Sequence, residues 1–246
     1  MQHARSKGRY QVREAQGAAD LRQVLRLRAL CFRGDADAQD GDAFDGTCDH
    51  LMVEEGATGA LVACFRLLFL RDGSGIDASY AAQFYDLSAL AHYAEPMVEV
   101  GRFCIHPDWQ DADILRTAWG GITRYVDERR VRMLFGCSSF AGTDTGPYGE
   151  TFAALASGHL APDRWRPRPK AHLIHAFSVE RAQKGADARR ALAQMPPLLR
   201  TYLAMGGWVS DHAVIDADLG TIHVFTGVEV SAIPPARKKA LRAIAG

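Results

Sequence analysis

The residues with the clearest chemical content lie in Glu99-Val-Gly-Arg-Phe-Cys-Ile-His-Pro-Asp108. A carboxylate takes up a proton and a guanidinium holds an anion, so Glu99 and Arg102 are parts from which an amine-activating site can be built. Their neighbours Met97, Val98, Val100, Phe103 and Ile105 are apolar and favour a strand, and Pro107 ends the run. In a regular strand two residues three apart face opposite ways. One extra residue at Val100-Gly101 brings both charges to the same face, and glycine inside a strand often marks such a bulge. A buried structural ion pair accounts for the same residues, and at this level the two readings stand side by side.

Other charges occur where apolar residues are expected. Arg28 falls on the stripe formed by Leu21, Leu25 and Phe32, and Arg66 sits within Leu61-Val-Ala-Cys-Phe-Arg-Leu-Leu-Phe-Leu70. Taken singly, each arginine fits a side chain that snorkels to the surface. Taken with Arg102, they predict a polar cluster, because a buried arginine needs a carboxylate partner. Glu99, Asp45 and Asp49 are the candidate partners; Phe44 and Leu51 flank the last two and direct them inward. The rest of the Asp-rich stretch 35–49 reads as a solvated loop. Its Asp35-x-Asp37 and Asp40-Gly41 echo a calcium loop, but the glycine is one position late and Gly46 stands where a bidentate Glu is required. His172 and His175 point to opposite faces of a strand, which argues against a metal pair. Cys104 and Cys137 lack a sequence-local base and read as structural thiols. Arg164-Trp-Arg-Pro-Arg-Pro-Lys170 places Arg164, Arg166, Arg168 and Lys170 in a semi-extended run. It reads either as an ordinary surface turn or as a dock for an acidic protein or anionic head groups.

The elements that must position these residues follow from periodicity. Helices are expected over 18–33, 112–130, 148–158, 186–195, 197–205 and 234–244. Strands are expected over 50–55, 60–70, 97–105, 131–137, 171–179 and 222–230, the first two joined as a hairpin. The hairpin implies antiparallel pairing, and the strand–helix–strand order after residue 97 implies parallel pairing there. The fold class is therefore α/β, a mixed sheet with helices on both faces, and ligands enter where parallel strands part.

With 246 residues, 48% of them hydrophobic, the chain has material for one substantial core. Its zero net charge disfavours a dedicated nucleic-acid binder. No apolar run approaches the roughly 20 residues that cross a bilayer, and the basic N-terminus lacks the apolar stretch of a secretory signal. Five cysteines without C-x-x-C spacing suit a reducing, cytoplasmic setting. The 197–205 helix and the basic terminal helix permit peripheral contact with the inner membrane.

Leu27-Arg28, Phe32, Phe44-Asp45, Asp49, Arg66 and Glu99-x-x-Arg102-Phe103 together resemble the acyl-homoserine lactone synthases. The wider chain, over roughly residues 20–230, is more similar to the bacterial ornithine–acyl carrier protein N-acyltransferases. That resemblance adds His106-Pro-Asp108, Leu134 to Phe140, Gly142-Thr-Asp144, Leu160-Ala-Pro162, the run from Pro197 to Leu203, Gly207-x-Val209 and Ala213-Val-Ile-Asp216. It implies one GNAT-like domain over 1–246, with a core of about 10–180 and a family-specific extension of about 181–246. It further implies transfer of a 3-hydroxyacyl group from acyl carrier protein to the α-amine of ornithine, with no metal or redox cofactor. Under it, Glu99 and Arg102 are catalytic; Arg28, Phe32, Asp45, Asp49, Arg66, Phe103 and His106 bind substrate; and Arg164, Arg166, Arg168 and Lys170 dock the carrier.

Two departures stand out. Leu219-Gly-Thr-Ile-His223 replaces the Phe-Asn-Thr-Thr-Asp common in that family. The turn Pro107 to Asp113 has no glycine and three acids, which repels a diphosphate at a helix start and favours a carrier protein over coenzyme A as donor. An autoinducer synthase acting on S-adenosylmethionine, acylation of another amino acid such as glutamine, and a non-catalytic carrier-binding module are the alternatives.

Overall fold

A computed structural model describes residues 8–177 and 188–245. These form two compact units, each discontinuous in sequence. The first comprises the described residues up to Leu68, Val100–Arg130 and those from Pro235 onward; the second comprises Phe69–Glu99 and the described part of Val131–Pro234.

In the first unit, β1 (Tyr10–Glu14), β2 (Asp49–Glu55), the first part of β3 (Leu61–Leu70) and the later part of β5 (Met97–Ile105) are neighbours in that order. β1 and β3 both run antiparallel to β2. Alternation assigns the faces. Met52 lies opposite Arg13, and it packs with Val24 and Leu27 of α1 (Gly17–Arg33), Cys64 and Cys104. Val12 lies opposite Val53 on the other face, where its methyl groups meet Gly121 of α2 (Ala112–Glu128). A Cβ at Gly121 would come within 2.7 Å of Val12, so only glycine lets helix and strand approach this closely. Helices thus cover both faces of this unit, as the sequence predicts. α1 stops at Gly34, whose φ of 74° provides the left-handed cap.

The second unit holds the start of β5, then β6 (Met133–Ala141), β11 (Thr221–Glu229), β10 (His212–Asp216) and β8 (Ile174–Ala176), with β9 (Trp208–Val209) pairing β11. Parallel pairing occurs between β5 and β6, over Met97–Glu99 opposite Met133–Phe135. β6 then pairs with β11 antiparallel along its whole length. Phe140, Ile222 and Val224 face α3 (Gly149–Gly158) and α5 (Pro197–Ala204) and pack with Phe152, Leu155 and Leu199. Phe225 and His223, one residue out of phase, face Tyr85 and Phe84. The latter belong to a segment of 3-10 turns (Gly73–Ala78, Ala81–Gln83, Leu90–His92) that includes β4 (Tyr85–Asp86), which pairs with β7 (Arg168–Pro169). The chain also forms α4 (Ala188–Gln194) and, in the first unit, α6 (Pro235–Ala245).

Gly73 fixes the start of that turn segment. Its N–H donates to the Tyr93 carbonyl at 2.7 Å, and a Cβ there would lie 1.9 Å from the Leu90 carbonyl oxygen. Gly73→Ala is expected to cost roughly 1–3 kcal/mol, read as a lower urea midpoint at unchanged slope.

The structure departs from the sequence expectation at its short strands. β1, β4, β7, β9 and β10 lie outside the expected elements. The strand expected over 171–179 is limited to Ile174–Ala176, with Ser178 and Val179 outside the described residues. That strand also does not continue the parallel series: β8 pairs antiparallel with β10, one of the unanticipated strands.

Candidate active site

Three arginines of the first unit converge on one loop. Arg28 of α1 is 1% exposed and Arg66 of β3 is 3% exposed. Arg28 donates through Nε to Asp40 Oδ2 at 2.8 Å, through one terminal nitrogen to Asp45 Oδ1 at 2.5 Å, and through the other to the Asp40 carbonyl at 2.6 Å. Arg66 donates to Asp42 Oδ1 at 2.5 Å and Asp45 Oδ1 at 2.7 Å, while Arg102 reaches Asp42 Oδ2 at 3.1 Å. Aromatic faces complete the lining: the Arg102 guanidinium lies 5.6 Å from the Phe32 ring centroid, and that of Arg66 5.5 Å from Phe44. Burial opposes ionisation of Asp42, yet Arg66 and Arg102 outweigh it and hold the carboxyl down at about 2. Asp45 is lowered in the same way, against burial, by Arg28, the Asp42 amide and Arg66. The stability these two carboxylates contribute is complete above the ordinary aspartate value near 4 and is lost as pH falls towards 2. Acid titration of the unfolding free energy is therefore expected to decline across that window, and Asp42→Asn is expected to flatten the decline.

The loop between α1 and β2 is thus a folded acidic loop clamped by arginines. Asp40 and Asp42, both assigned to solvent from sequence, are central members, and the Asp40 side chain is fully buried. His50 also belongs to the cluster, opposite Arg66 across the β2–β3 ladder, with Nε2 3.1 Å from the Asp45 carbonyl.

Asp49 does not join the cluster, and this corrects the sequence reading. It precedes His50 in a strand, so alternation sends it to the opposite face. There it accepts from the Tyr125 hydroxyl at 2.7 Å and from Arg129 at 3.0 Å, both of α2 and its end. Phe103 stacks on Phe65, with centroids 5.4 Å apart. His106 closes the turn after β5: its amide donates to the Val62 carbonyl at 2.8 Å, and its Nδ1 accepts from the Asp108 amide at 3.2 Å. The backbone irregularity expected at Val100-Gly101 appears one residue later, where Arg102 has a φ of 50°, a left-handed value uncommon for a residue with a Cβ.

Glu99 lies in the second unit and is 5% exposed. Its Oε2 accepts the Tyr80 N–H and its Oε1 the Ala81 N–H, each at 2.8 Å. The 3-10 turn at Ala81 thus fixes both carboxylate oxygens and their plane. Because the donors are main-chain groups, no side-chain pattern announced them. Tyr202 of α5 is buried nearby: burial, and then the Glu99 charge, push its phenol well up, so it is neutral. A buried carboxylate held in one orientation suits proton abstraction from an ammonium.

The basic run is largely engaged within the second unit. Arg164 donates to Glu229 at 2.9 Å, Arg166 pairs with Asp163, and Lys170 donates to the Ala82 carbonyl at 2.6 Å. Arg168 is exposed on β7.

In the first unit, α2 opens on Asp111, whose Oδ1 accepts the Asp113 N–H at 2.9 Å and whose Oδ2 accepts from Tyr10 and Arg9. The Asp113 amide holds the Asp111 carboxyl below its ordinary range, with Tyr10 and Arg9 adding to the effect, so the helix start carries a fixed negative charge.

The acetyltransferase (GNAT) domain family matches residues 26–120. With the mixed sheet, in which β5 and β6 pair in parallel, this match places that segment in the GNAT class of acyltransferases. Over 239 residues the chain is 30% identical to the L-ornithine N(alpha)-acyltransferase of Rhodobacter capsulatus, covering 91% of each chain. It is 28% identical to the enzyme of the same name from Brucella abortus, over 89% of this chain and 83% of that one. It belongs to the L-ornithine N(alpha)-acyltransferase family. Among solved structures, TofI in its apo form aligns with a TM-score of 0.49 at 16% identity, over 96% of this chain and 98% of that one. Among the described residues, no helix is long and apolar enough to cross a membrane.

Proposed function

We propose that this acyltransferase moves a 3-hydroxyacyl group from acyl carrier protein to the α-amine of ornithine, giving lyso-ornithine lipid. The observation that carries the acceptor is the near full-length similarity to relatives named for ornithine acylation. Glu99 takes a proton from the ammonium, directly or through water, and the freed lone pair attacks the thioester carbonyl. The carbon–sulfur bond then breaks and the carrier leaves as its thiol. The amide product keeps the α-carboxylate of the amino acid, and no redox step is involved. The arginine–aspartate cluster serves chiefly to hold its own loop and β5 in place, through the bonds of Arg28, Arg66 and Arg102 to Asp40, Asp42 and Asp45.

The start of α2 supports a carrier protein as donor rather than coenzyme A. Helix starts bind diphosphates through unsatisfied amides and a favourable dipole. Here Asp111 occupies the Asp113 amide and adds a negative charge at that point. Arg168 remains exposed for contact with an acidic carrier surface. Initial rates with matched 3-hydroxyacyl thioesters of acyl carrier protein and of coenzyme A test the donor. A preference of at least tenfold in kcat/KM for the carrier thioester is expected; equal rates would remove the assignment. Peripheral contact with the inner membrane, through α5 and the basic residues of α6, is part of the same reading. It is tested by sedimentation with anionic vesicles.

A further inference from the structure

The second unit contains a buried polar contact that the chemistry above does not use, and it ends on the segment that grips Glu99. Tyr85 is fully buried, and its hydroxyl donates to the His223 carbonyl at 2.9 Å. A hydroxyl has one hydrogen, so its 3.1 Å contact with His223 Nδ1 requires that nitrogen to be the donor. Burial pushes the His223 imidazole down to about 4, against the Asp216 charge, so the ring is neutral. The ring edge of His223 also packs on Phe84, centroids 4.9 Å apart, and Phe84 packs on Tyr80 at 5.2 Å. One short segment, Tyr80 to Tyr85, is therefore tied at its far end to β11 and at its near end donates two amides to Glu99.

We propose that Tyr85 and His223 are positioning residues for the reaction: they anchor the Tyr80–Tyr85 turn so that its amides hold the Glu99 carboxylate in its working orientation. Two backbone donors on separate oxygens define the carboxylate plane only while the turn itself stays in place. The turn is short, and the Tyr85–His223 contact is its buried cross-link to β11, alongside the Tyr80 hydroxyl to Asp216 at 3.5 Å and the Lys170 bond to the Ala82 carbonyl.

The inference rests on Glu99 acting as the base, and a double-mutant cycle separates the two claims. Tyr85→Phe removes one hydroxyl and keeps the ring. It is expected to lower kcat about tenfold, with KM for ornithine and for the acyl donor within about twofold of the parent. His223→Phe removes the Nδ1 contact but keeps the carbonyl that accepts from Tyr85, so alone it is expected to lower kcat less than Tyr85→Phe does, and to add little to it. In a Glu99→Gln background, Tyr85→Phe is expected to leave the residual rate unchanged. Wild-type kcat in Tyr85→Phe would overturn the anchor, as would a tenfold loss repeated in the Glu99→Gln background. Parental turnover in Glu99→Gln alone would remove the base assignment, and the anchor with it. Thermal midpoints measured in parallel exclude a general loss of structure.

Discussion

Glu99→Gln is expected to lower turnover by about 10²- to 10⁴-fold, the range general-base catalysis contributes, while the protein stays folded. The amide is nearly isosteric with the carboxylate and still offers one oxygen to the main-chain donors. Its nitrogen cannot accept the second N–H, so one of the two 2.8 Å contacts, with Tyr80 or Ala81, is lost. The expected fold cost is about 1–3 kcal/mol, that of one buried donor left unmade. A large loss of kcat with a modest fall in unfolding midpoint identifies a chemical role. Near-parental turnover in a folded variant would contradict the mechanism, and so would a collapse of stability that explains the rate by itself.

The second large effect concerns stability. Arg28→Ala leaves Asp40 and Asp45 without their principal partner in a region closed to solvent. Removing one member of a buried pair costs about 3–5 kcal/mol, because the remaining charge is buried and uncompensated. That is a large share of the roughly 5–15 kcal/mol by which a domain is stable. Lysine should not restore it, since Arg28 uses three donors in a fixed fork towards Asp40 and Asp45. Asp49→Asn provides the contrast. Asp49 itself and its partner Arg129 are partly solvated, although Tyr125 is buried, so about 1 kcal/mol is expected there. Urea unfolding of the three variants distinguishes the cases. A loss below 1 kcal/mol for Arg28→Ala would mean the cluster is not the scaffold its burial implies.

Periodicity carried much of the fold. α1, α2, the β2–β3 hairpin and β5 have long apolar patterns, and each forms within two residues of its expected bounds. The short strands did not announce themselves. Tyr10-Gln-Val-Arg-Glu14 has too few apolar residues for its alternation to stand out, and β10 has only five residues. Missing β10 misassigned the direction of β8, because the order of elements alone does not say which strand is the partner. At the site, residue types in unusual contexts pointed to Arg28, Arg66, Arg102 and Asp45. Asp40 and Asp42 were hidden because an Asp-rich loop ordinarily faces water. Asp49 was placed on the wrong face because its strand start could not be read to a single residue. The amides on Glu99 and the Tyr85–His223 anchor join residues far apart in sequence, through contacts that local pattern does not encode.

The central claim is tested most directly by mass spectrometry of one reaction. Purified protein is given 3-hydroxypalmitoyl-acyl carrier protein with ornithine, lysine, glutamine, glycine and S-adenosylmethionine together. The account predicts N-acylated ornithine as the main product, with the acyl group on the α-amine. Acylation of a different amine, a lactone from S-adenosylmethionine, or carrier binding without any acylated product would contradict it.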